Sequence, residues 1–313
     1  MRMLVTEKDG RVLIVNGGQV SATPVLTIAV ESDNECGLLG IAVDPSFATN
    51  RYVWIYYSTP DPNKGNQVVR FTLNNDIASD VQVAKHFLRL GGVCRHNGGN
   101  LHFGPDGKFY VSIGDNEEPS NAQELDDNHA GKIHRFDPTV PLGIPTDNPI
   151  SGSSIYAYGF RIHFDFTFDT QSGSIWATEN GTYCDDEINR GVSGGNYGWR
   201  PEANNACENT KVGDDYPYFR PIINFESSQA PTGIMFYTGN LFPQWVDRIF
   251  FCSFTNKWIR LIDLDNGKLG AIGMYRVPND VDKYRCETSI MTGPDGAIYF
   301  TDPTSINRIV AGS

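Results

Sequence analysis

The chain has 313 residues, six cysteines and a formal net charge of −12. An acidic chain without a run of lysine and arginine is a poor partner for nucleic acid. Because no apolar run approaches the ~20 residues of a membrane-spanning helix, we expect no membrane span, and we expect no signal peptide within the given residues, as in a mature form from which it has been removed.

A hairpin phrase recurs along the whole chain. Each copy is a turn rich in Asp, Gly and Asn followed by alternating apolar and aromatic residues, which predicts a strand with one face in a core. The copies lie at residues 7–15, 46–58, 104–115, 169–181, 240–254 and 293–302. Six such copies are typical of a radial array of small sheets. We therefore predict an all-β fold, a six-bladed β-propeller of four-stranded antiparallel blades, as a single domain over residues 1–313.

Polar residues that a hairpin does not need cluster in six loops, which we expect at the mouth of the propeller's central channel. In chain order these loops are residues 33–36, 94–99, 158–161, 179–199, 255–257 and 282–285. The second loop contains His96, the best candidate for a general base, because imidazole titrates near neutrality and the glycines after it allow a ligand to approach closely. Arg161 in the third loop could stabilise an anion or a developing alkoxide.

The six cysteines form no Cys-x-x-Cys pair, so a zinc ribbon is not expected. They are Cys36, Cys94, Cys184, Cys207, Cys252 and Cys286. We predict a bridge between Cys184 and Cys207, which flank one long loop, and also the pairs Cys36–Cys94 and Cys252–Cys286. An oxidising compartment, periplasmic or extracellular, is one interpretation, and buried reduced cysteines are the other.

The acidic run of Asp185, Asp186 and Glu187 also has two interpretations. It could be a solvated turn, or it could belong to a calcium site, since oxygen ligands are dense there.

The loops together resemble the soluble glucose/sorbosone dehydrogenase family, which uses pyrroloquinoline quinone on a six-bladed propeller. The resemblance covers essentially the whole chain and depends on the order and spacing of several motifs. The motifs are Glu-Cys-Gly-Leu-Leu-Gly at 35–40, His-Asn-Gly-Gly at 96–99, Tyr-Gly-Phe-Arg at 158–161, and Glu-Asn-Gly at 179–181 leading to Gly-Asn-Tyr-Gly-Trp at 195–199.

The resemblance implies a role for each matching residue. His96 would take the proton of a sugar's anomeric hydroxyl, and Arg161 would pair with the quinone oxygen that becomes negative. The carbonyls of Gly181 and Thr182 would hold a calcium ion that also binds the cofactor, and Glu187 with the carbonyl of Tyr197 would hold a second, structural calcium. The remaining implied cofactor contacts are Glu35, Asn97, Asn180, Thr255, Lys257, Lys283 and Arg285.

Some family positions differ here: Ile162 replaces an asparagine, Thr182 a proline and Thr255 a lysine.

The partners implied by the resemblance are a sugar, which would be oxidised to a lactone, and an external electron acceptor, with the chain as a monomer or homodimer. Two alternatives remain open. One is a non-catalytic binding module, because the propeller of Hedgehog-interacting protein is also similar. The other is a calcium-dependent lactonase or esterase that uses Glu35, Asn180, Asp115 and His96.

Overall fold

The structure is a computed structural model and describes residues 2–61, 63–89, 94–126, 128–200, 218–265, 270–277 and 283–311. Six antiparallel sheets and almost no helix make the fold a six-bladed β-propeller, which confirms the predicted fold class. Among the described residues the helical segments are α1 (Phe47–Asn50) and two 3-10 turns, Pro119–Gln123 and Pro243–Trp245. Within the described ranges no helix combines the length and the apolar character needed to cross a bilayer.

The chain divides into two compact units, and the first runs to Ile162 and also takes in Trp199. The first unit contains three four-stranded sheets. The first sheet consists of β1 (Arg2–Glu7), β2 (Arg11–Asn16), β3 (Gln19–Val20) and β4 (Leu26–Thr27), the second of β5 (Leu38–Val43), β6 (Tyr52–Ser58), β7 (Asn66–Asn74) and β8 (Ile77–Phe87), and the third of β9 (Leu101–Phe103), β10 (Phe109–Ile113), β11 (Lys132–Phe136) and β12 (Ile155–Tyr158). The expectation of a single domain stays a prediction.

The second unit starts at His163 and contains the other three sheets, apart from the first residue of β13. The fourth sheet consists of β13 (Ile162–Phe168), β14 (Ile175–Asn180), β15 (Asp186–Gly191) and β16 (Ile223–Phe225), the fifth of β17 (Pro231–Phe236), β18 (Ile249–Ser253), β19 (Ile259–Leu264) and β20 (Ala271–Val277), and the sixth of β21 (Ile290–Thr292), β22 (Ile298–Thr301) and β23 (Ile306–Ile309). The last sheet therefore has three strands among the described residues.

The apolar cores lie between consecutive sheets of each unit. In the first unit Trp54 on β6 is fully buried, and its ring centroid lies 4.9 Å from that of Phe109 on β10. In the second unit Trp176 on β14 meets Phe236 on β17 edge to face at 6.3 Å. Central strands are apolar on both faces because both faces are covered, whereas outer strands such as β8 alternate with exposed residues.

Two of the three predicted disulfides are confirmed. Cys36 pairs with Cys94 in the first unit and Cys252 with Cys286 in the second, each with a Cα–Cα distance of 5.1 Å. The predicted Cys184–Cys207 bridge involves a position outside the described residues.

Candidate active site

The candidate base, His96, is held by a buried carboxylate in the first unit. His96 is 7% exposed, and its Nδ1 lies 2.5 Å from Oδ1 of Asp115, which is 1% exposed. An ionised carboxylate can only accept hydrogen bonds, so this contact places the proton on Nδ1 and leaves Nε2 as the basic nitrogen. The imidazole is therefore oriented as a general base requires.

Asp115 is itself fixed by further donors. Its Oδ2 accepts the indole Nε1–H of Trp199 at 2.7 Å, and its Oδ1 also accepts the amide of Glu117 at 2.9 Å. Trp199 is 2% exposed, so this hydrogen bond is shielded from water. A carboxylate held by three donors has a fixed position beside the imidazole, where its charge can balance a positive charge on the ring.

Glycines allow the loop of His96 to lie directly against β10. His96 itself has a φ of 53°, and Gly98 and Gly99 follow with φ of 60° and 106°. The Gly99 amide donates to the Ser112 carbonyl at 2.8 Å. A Cβ on Gly114 would lie 2.4 Å from the carbonyl oxygen of His96, so a larger residue there would displace the loop.

Glu35 touches the same loop from the other side. Its Oε2 accepts the backbone amide of His96 at 2.5 Å, and its own amide donates to the Cys94 carbonyl at 2.9 Å. Asn97 is fully buried; its Oδ1 accepts a hydrogen bond from Asn66 Nδ2 at 3.1 Å, and its Nδ2 lies 3.7 Å from Cys36 Sγ. Glu35 and Asn97 thus shape the loop, and their predicted contacts with a cofactor stay predictions.

Arg161 belongs to the same group. It lies between β12 and β13, its carbonyl accepts the Asp115 amide at 2.8 Å, and its guanidinium carbon lies 5.7 Å from the centroid of the Trp199 ring. The first unit therefore brings the two predicted catalytic residues, His96 and Arg161, to the same Asp115–Trp199 pair. A base and a fixed positive charge are the two groups that proton abstraction from a hydroxyl needs.

A buried lysine supports the segment behind Asp115. Lys132 is fully buried and donates its Nζ to the carbonyls of Asn121 at 2.7 Å and Ala130 at 2.6 Å. Burial lowers the pKa of Lys132 to about 8, although Glu124 acts in the opposite direction. Asn121 in turn donates its Nδ2 to the Asp115 carbonyl at 2.9 Å.

In the second unit, two buried glutamates face each other across neighbouring strands. Glu179 on β14 and Glu187 on β15 are cross-strand partners, and they are 0% and 1% exposed. Asn189 Nδ2 donates to both, at 2.9 Å to Glu179 and 3.1 Å to Glu187. Two like charges buried at one place favour a bound cation.

The predicted calcium loop at Gly181 and Thr182 is closed by a carboxylate. Asp186 is 2% exposed; its Oδ1 accepts the Gly181 amide at 2.8 Å, and its Oδ2 accepts the amides of Gln229 at 2.6 Å and Ala230 at 2.7 Å. A Cβ on Gly181 would lie 2.0 Å from the Cys184 carbonyl oxygen. Backbone oxygens therefore crowd a space that only glycine leaves open.

The aromatic side chain of Tyr197 makes other contacts. It is 2% exposed, its hydroxyl donates to the Arg190 carbonyl at 2.5 Å, and the Val192 amide donates to that hydroxyl at 2.9 Å. The hydroxyl is therefore occupied by these hydrogen bonds, and the predicted role as a ligand of the structural calcium concerns only the Tyr197 carbonyl. Asn180, at the end of β14, is half-buried and directly precedes Gly181.

The remaining predicted cofactor contacts lie in two loops of the second unit. The Cys286 amide donates to the Lys257 carbonyl at 3.2 Å, which joins the Lys257 turn to the segment of Arg285. Arg285 Nε lies 3.2 Å from Glu287 Oε1, and Lys283 Nζ lies 4.9 Å from the Tyr284 ring centroid. Thr255 is exposed, and its amide donates to the Gln229 carbonyl at 3.4 Å.

Sequence reasoning missed several members of these networks. The motif at 195–199 contains Trp199 and the fourth loop contains Asn189 without indicating a role for either, and Asp115 is predicted only as part of a hydrolase site. Asp115 ends the hairpin phrase that starts at Gly104, where the matching phrase at 293–302 also ends in an aspartate. That repeated aspartate was the available signal, although it could not show which copy meets a histidine.

The protein is thus a β-propeller whose candidate site consists of a histidine held by a carboxylate and an arginine beside them. The sequence profile of the family described as Glucose / Sorbosone dehydrogenase matches residues 1–310. The chain belongs to this family.

Individual relatives agree with that assignment. The chain is 28% identical to aldose sugar dehydrogenase YliI of Escherichia coli over 97% of this chain and 84% of the relative. It is 33% identical to quinoprotein glucose dehydrogenase B of Acinetobacter calcoaceticus over 63% of this chain and 47% of that one. It is 29% identical to human Hedgehog-interacting protein over 51% of this chain and 27% of that one.

The fold is also similar to that of solved structures. The crystal structure of the soluble aldose sugar dehydrogenase from Escherichia coli in the apo-form superposes with a TM-score of 0.80 at 28% identity, covering 95% of this chain and 88% of that chain.

Proposed function

We propose that the protein is a quinoprotein aldose sugar dehydrogenase, which oxidises the anomeric carbon of sugars to lactones with pyrroloquinoline quinone and calcium. The observation that carries this proposal is the His96–Asp115–Trp199 chain of hydrogen bonds beside Arg161. The sugar dehydrogenases among the relatives support it.

The residues present fit both absent groups. The quinone cofactor carries three carboxylates and suits cationic contacts, and the family resemblance assigns such contacts to Arg161, Lys257, Lys283 and Arg285. The backbone oxygens around Gly181 and the buried pair of Glu179 and Glu187 have the hard oxygen chemistry that calcium prefers. Gly181 and Thr182 would hold the calcium at the cofactor, and Glu187 with the Tyr197 carbonyl would hold the structural one.

The chain's own residues supply the base and the charge. Nε2 of His96 accepts the proton of the anomeric hydroxyl, and Asp115 stabilises the imidazolium that results. Arg161 provides a fixed positive charge for the negative charge that develops during the reaction. When bound, the quinone supplies the hydride acceptor. Trp199 shields the Asp115 carboxylate from water, which strengthens its interaction with the imidazolium.

The test is reconstitution of the purified chain with calcium and the quinone, followed by dye reduction with glucose and other aldoses. We expect sugar-dependent reduction in the wild type and a loss of at least about 100-fold in His96→Asn, since general bases contribute ~10²–10⁴-fold. His86→Asn is the matched control, because His86 is exposed on β8 and its Nδ1 contacts only Gln67 among the bonds described. Absence of dye reduction by a wild type that retains the cofactor would contradict the proposal.

A second candidate is a non-catalytic binding module. The match to Hedgehog-interacting protein favours it, as do the departures at Ile162 and Thr255. A chain that fails to retain the quinone, but forms a stable complex with a protein partner, would decide for this function. The hydrolase alternative has less support, because Asp115 already accepts three hydrogen bonds and so has little lone-pair capacity left for a metal.

We also propose that the protein works in the periplasm or outside the cell. The two confirmed disulfides support an oxidising compartment. An external electron acceptor, and a monomer or homodimer, remain part of the same proposal.

A further inference from the structure

A buried arginine lies on the sulfurs of the Cys36–Cys94 disulfide. The side chain of Arg89 is 2% exposed, and its Nη1 lies 2.8 Å from Cys36 Sγ and 3.3 Å from Cys94 Sγ. Its Nη2 donates to Oε2 of Glu31 at 2.8 Å. Among the described residues no acceptor bonds its buried Nε. One guanidinium therefore contacts both sulfurs of the bridge and a carboxylate at the same time.

This disulfide connects the two loops that hold the candidate base. Cys36 directly follows Glu35, and Cys94 precedes His96 by two residues. Two hydrogen bonds run beside the covalent bond: the Glu35 amide to the Cys94 carbonyl at 2.9 Å, and the His96 amide to Glu35 Oε2 at 2.5 Å. His96 adopts a φ of 53°, which a non-glycine residue rarely does unless its surroundings impose it.

A cation has different effects on the two redox states of a cysteine pair. Disulfide sulfurs are weak acceptors, but a thiolate gains strongly from a neighbouring guanidinium, so Arg89 stabilises the reduced pair more than the oxidised one. Glu31 acts in the opposite direction as a nearby negative charge. Arg89 should therefore make this bridge easier to reduce than a purely structural disulfide.

We propose that the Cys36–Cys94 disulfide is a redox-sensitive clamp that positions His96, with Arg89 setting how readily it opens. This inference rests on the proposed function for the role of His96. In the reduction, a dithiol reductant supplies two electrons: its thiolate attacks one sulfur, the S–S bond breaks, and its second thiol closes a new disulfide, which leaves one cysteine as a thiol and the other as a thiolate beside Arg89 while one proton passes to solvent. Opening the clamp frees the Glu35 loop from the His96 loop.

The first experiment reads the imidazole directly by ¹⁵N NMR, which needs neither quinone nor sugar. In the wild type we expect His96 as a single, sharp Nδ1–H tautomer. In Cys36→Ser/Cys94→Ser we expect its signals to broaden into an exchanging mixture. The matched control, Cys252→Ser/Cys286→Ser, removes a bridge of the same kind in the second unit and should leave the His96 signals unmoved. Unchanged His96 ¹⁵N signals in the Cys36→Ser/Cys94→Ser variant would overturn the proposal that this disulfide positions His96.

The second experiment equilibrates the folded protein with dithiothreitol and measures each bridge by thiol alkylation and peptide mass spectrometry. Relative to wild type, Arg89→Met should lower the equilibrium constant for reduction of Cys36–Cys94 about tenfold, which corresponds to ~30 mV. Glu31→Gln should raise it, and Cys252–Cys286 in the same samples is the internal reference. If Arg89→Met does not fold, Glu31→Gln/Arg89→Met, which has no buried unpaired charge, replaces it and should also lower the constant.

Equal constants in wild type and the Arg89 variants would overturn the assigned role of Arg89. The two proposals can fail separately. If loss of the disulfide shifts the His96 signals but the protein shows no sugar-dependent dye reduction, the dehydrogenase proposal is refuted and the clamp is not. If dye reduction stays normal after selective reduction of Cys36–Cys94, only the clamp is refuted.

Discussion

Replacing Asp115 by asparagine tests the central arrangement, because it changes one oxygen to an NH₂ group at nearly constant shape. The carboxylate accepts from three donors, His96 Nδ1 at 2.5 Å, the Glu117 amide at 2.9 Å and Trp199 Nε1 at 2.7 Å. An asparagine side chain has only one acceptor oxygen, so its NH₂ must face either the indole or the imidazole.

Each orientation has a defined cost. If the NH₂ faces Trp199, two buried donors oppose each other, which costs about 1–3 kcal/mol of unfolding free energy. If it faces His96, it also opposes the Glu117 amide N–H, and the imidazole must carry its proton on Nε2 and no longer acts as a base, a change that costs ~10⁴-fold in kcat in the serine protease triad. We therefore expect Asp115→Asn to lose stability by about 1–3 kcal/mol, or to show the other His96 tautomer.

Urea unfolding measures the first effect and imidazole ¹⁵N NMR the second. Asp44→Asn is a matched control, because Asp44 also accepts an indole N–H, from Trp54 at 3.2 Å, but its hydrogen bonds involve no histidine. It should be destabilised without any change at His96. An Asp115→Asn protein with wild-type stability and a wild-type Nδ1–H tautomer would refute the reasoning.

Three further predictions concern stability and metal binding. Burial lowers the pKa of His163 to about 3 from its usual 6.5, so the unfolded chain binds a proton that the folded protein does not, and stability falls by ~1.4 kcal/mol per unit as pH drops through this window. His163→Phe should flatten the curve of unfolding free energy between pH 6 and pH 4 (about 1.4 kcal/mol per unit), and an unchanged slope would contradict that. A Cβ on Gly40 would lie 2.0 Å from the Gly99 carbonyl oxygen, so Gly40→Ala should lose at least ~1–3 kcal/mol in urea unfolding, whereas Gly107→Ala, which meets no atom within 4 Å, should lose only about 1 kcal/mol from its positive φ. Calcium should raise the melting temperature of the wild type, and Glu187→Gln should lose most of that increase in calorimetry, because one of two facing carboxylates is neutralised; an equal increase in both proteins would count against the metal site.

The sheet architecture could be predicted because the hairpin phrase marks it locally. The phrase at residues 104–115 contains the turn before β10 and all of that strand, and the phrase at 293–302 does the same for β22. A turn residue and a two-residue alternation both act over a few residues, so the sequence displays them directly. The division into two compact units depends on contacts between distant segments, which no local pattern records.

The candidate site could be predicted in part. The motif at 96–99 identified His96, and the motif at 158–161 identified Arg161. The partners Asp115 and Trp199 act through one shared hydrogen bond between residues 84 positions apart. Such a contact leaves no periodicity in the sequence, and an aspartate at a strand end is more often a turn residue than the partner of a base.

The late position of Trp199 has a consequence for synthesis. At ~5–20 residues per second, the 84 residues that separate it from Asp115 take the ribosome roughly 4–17 s to add. During that interval the nascent chain already contains the histidine and its carboxylate, but the indole that completes them has not yet been made. The site is therefore finished only once Trp199 has been added, and a chain that stops short of Trp199 would carry an incomplete one.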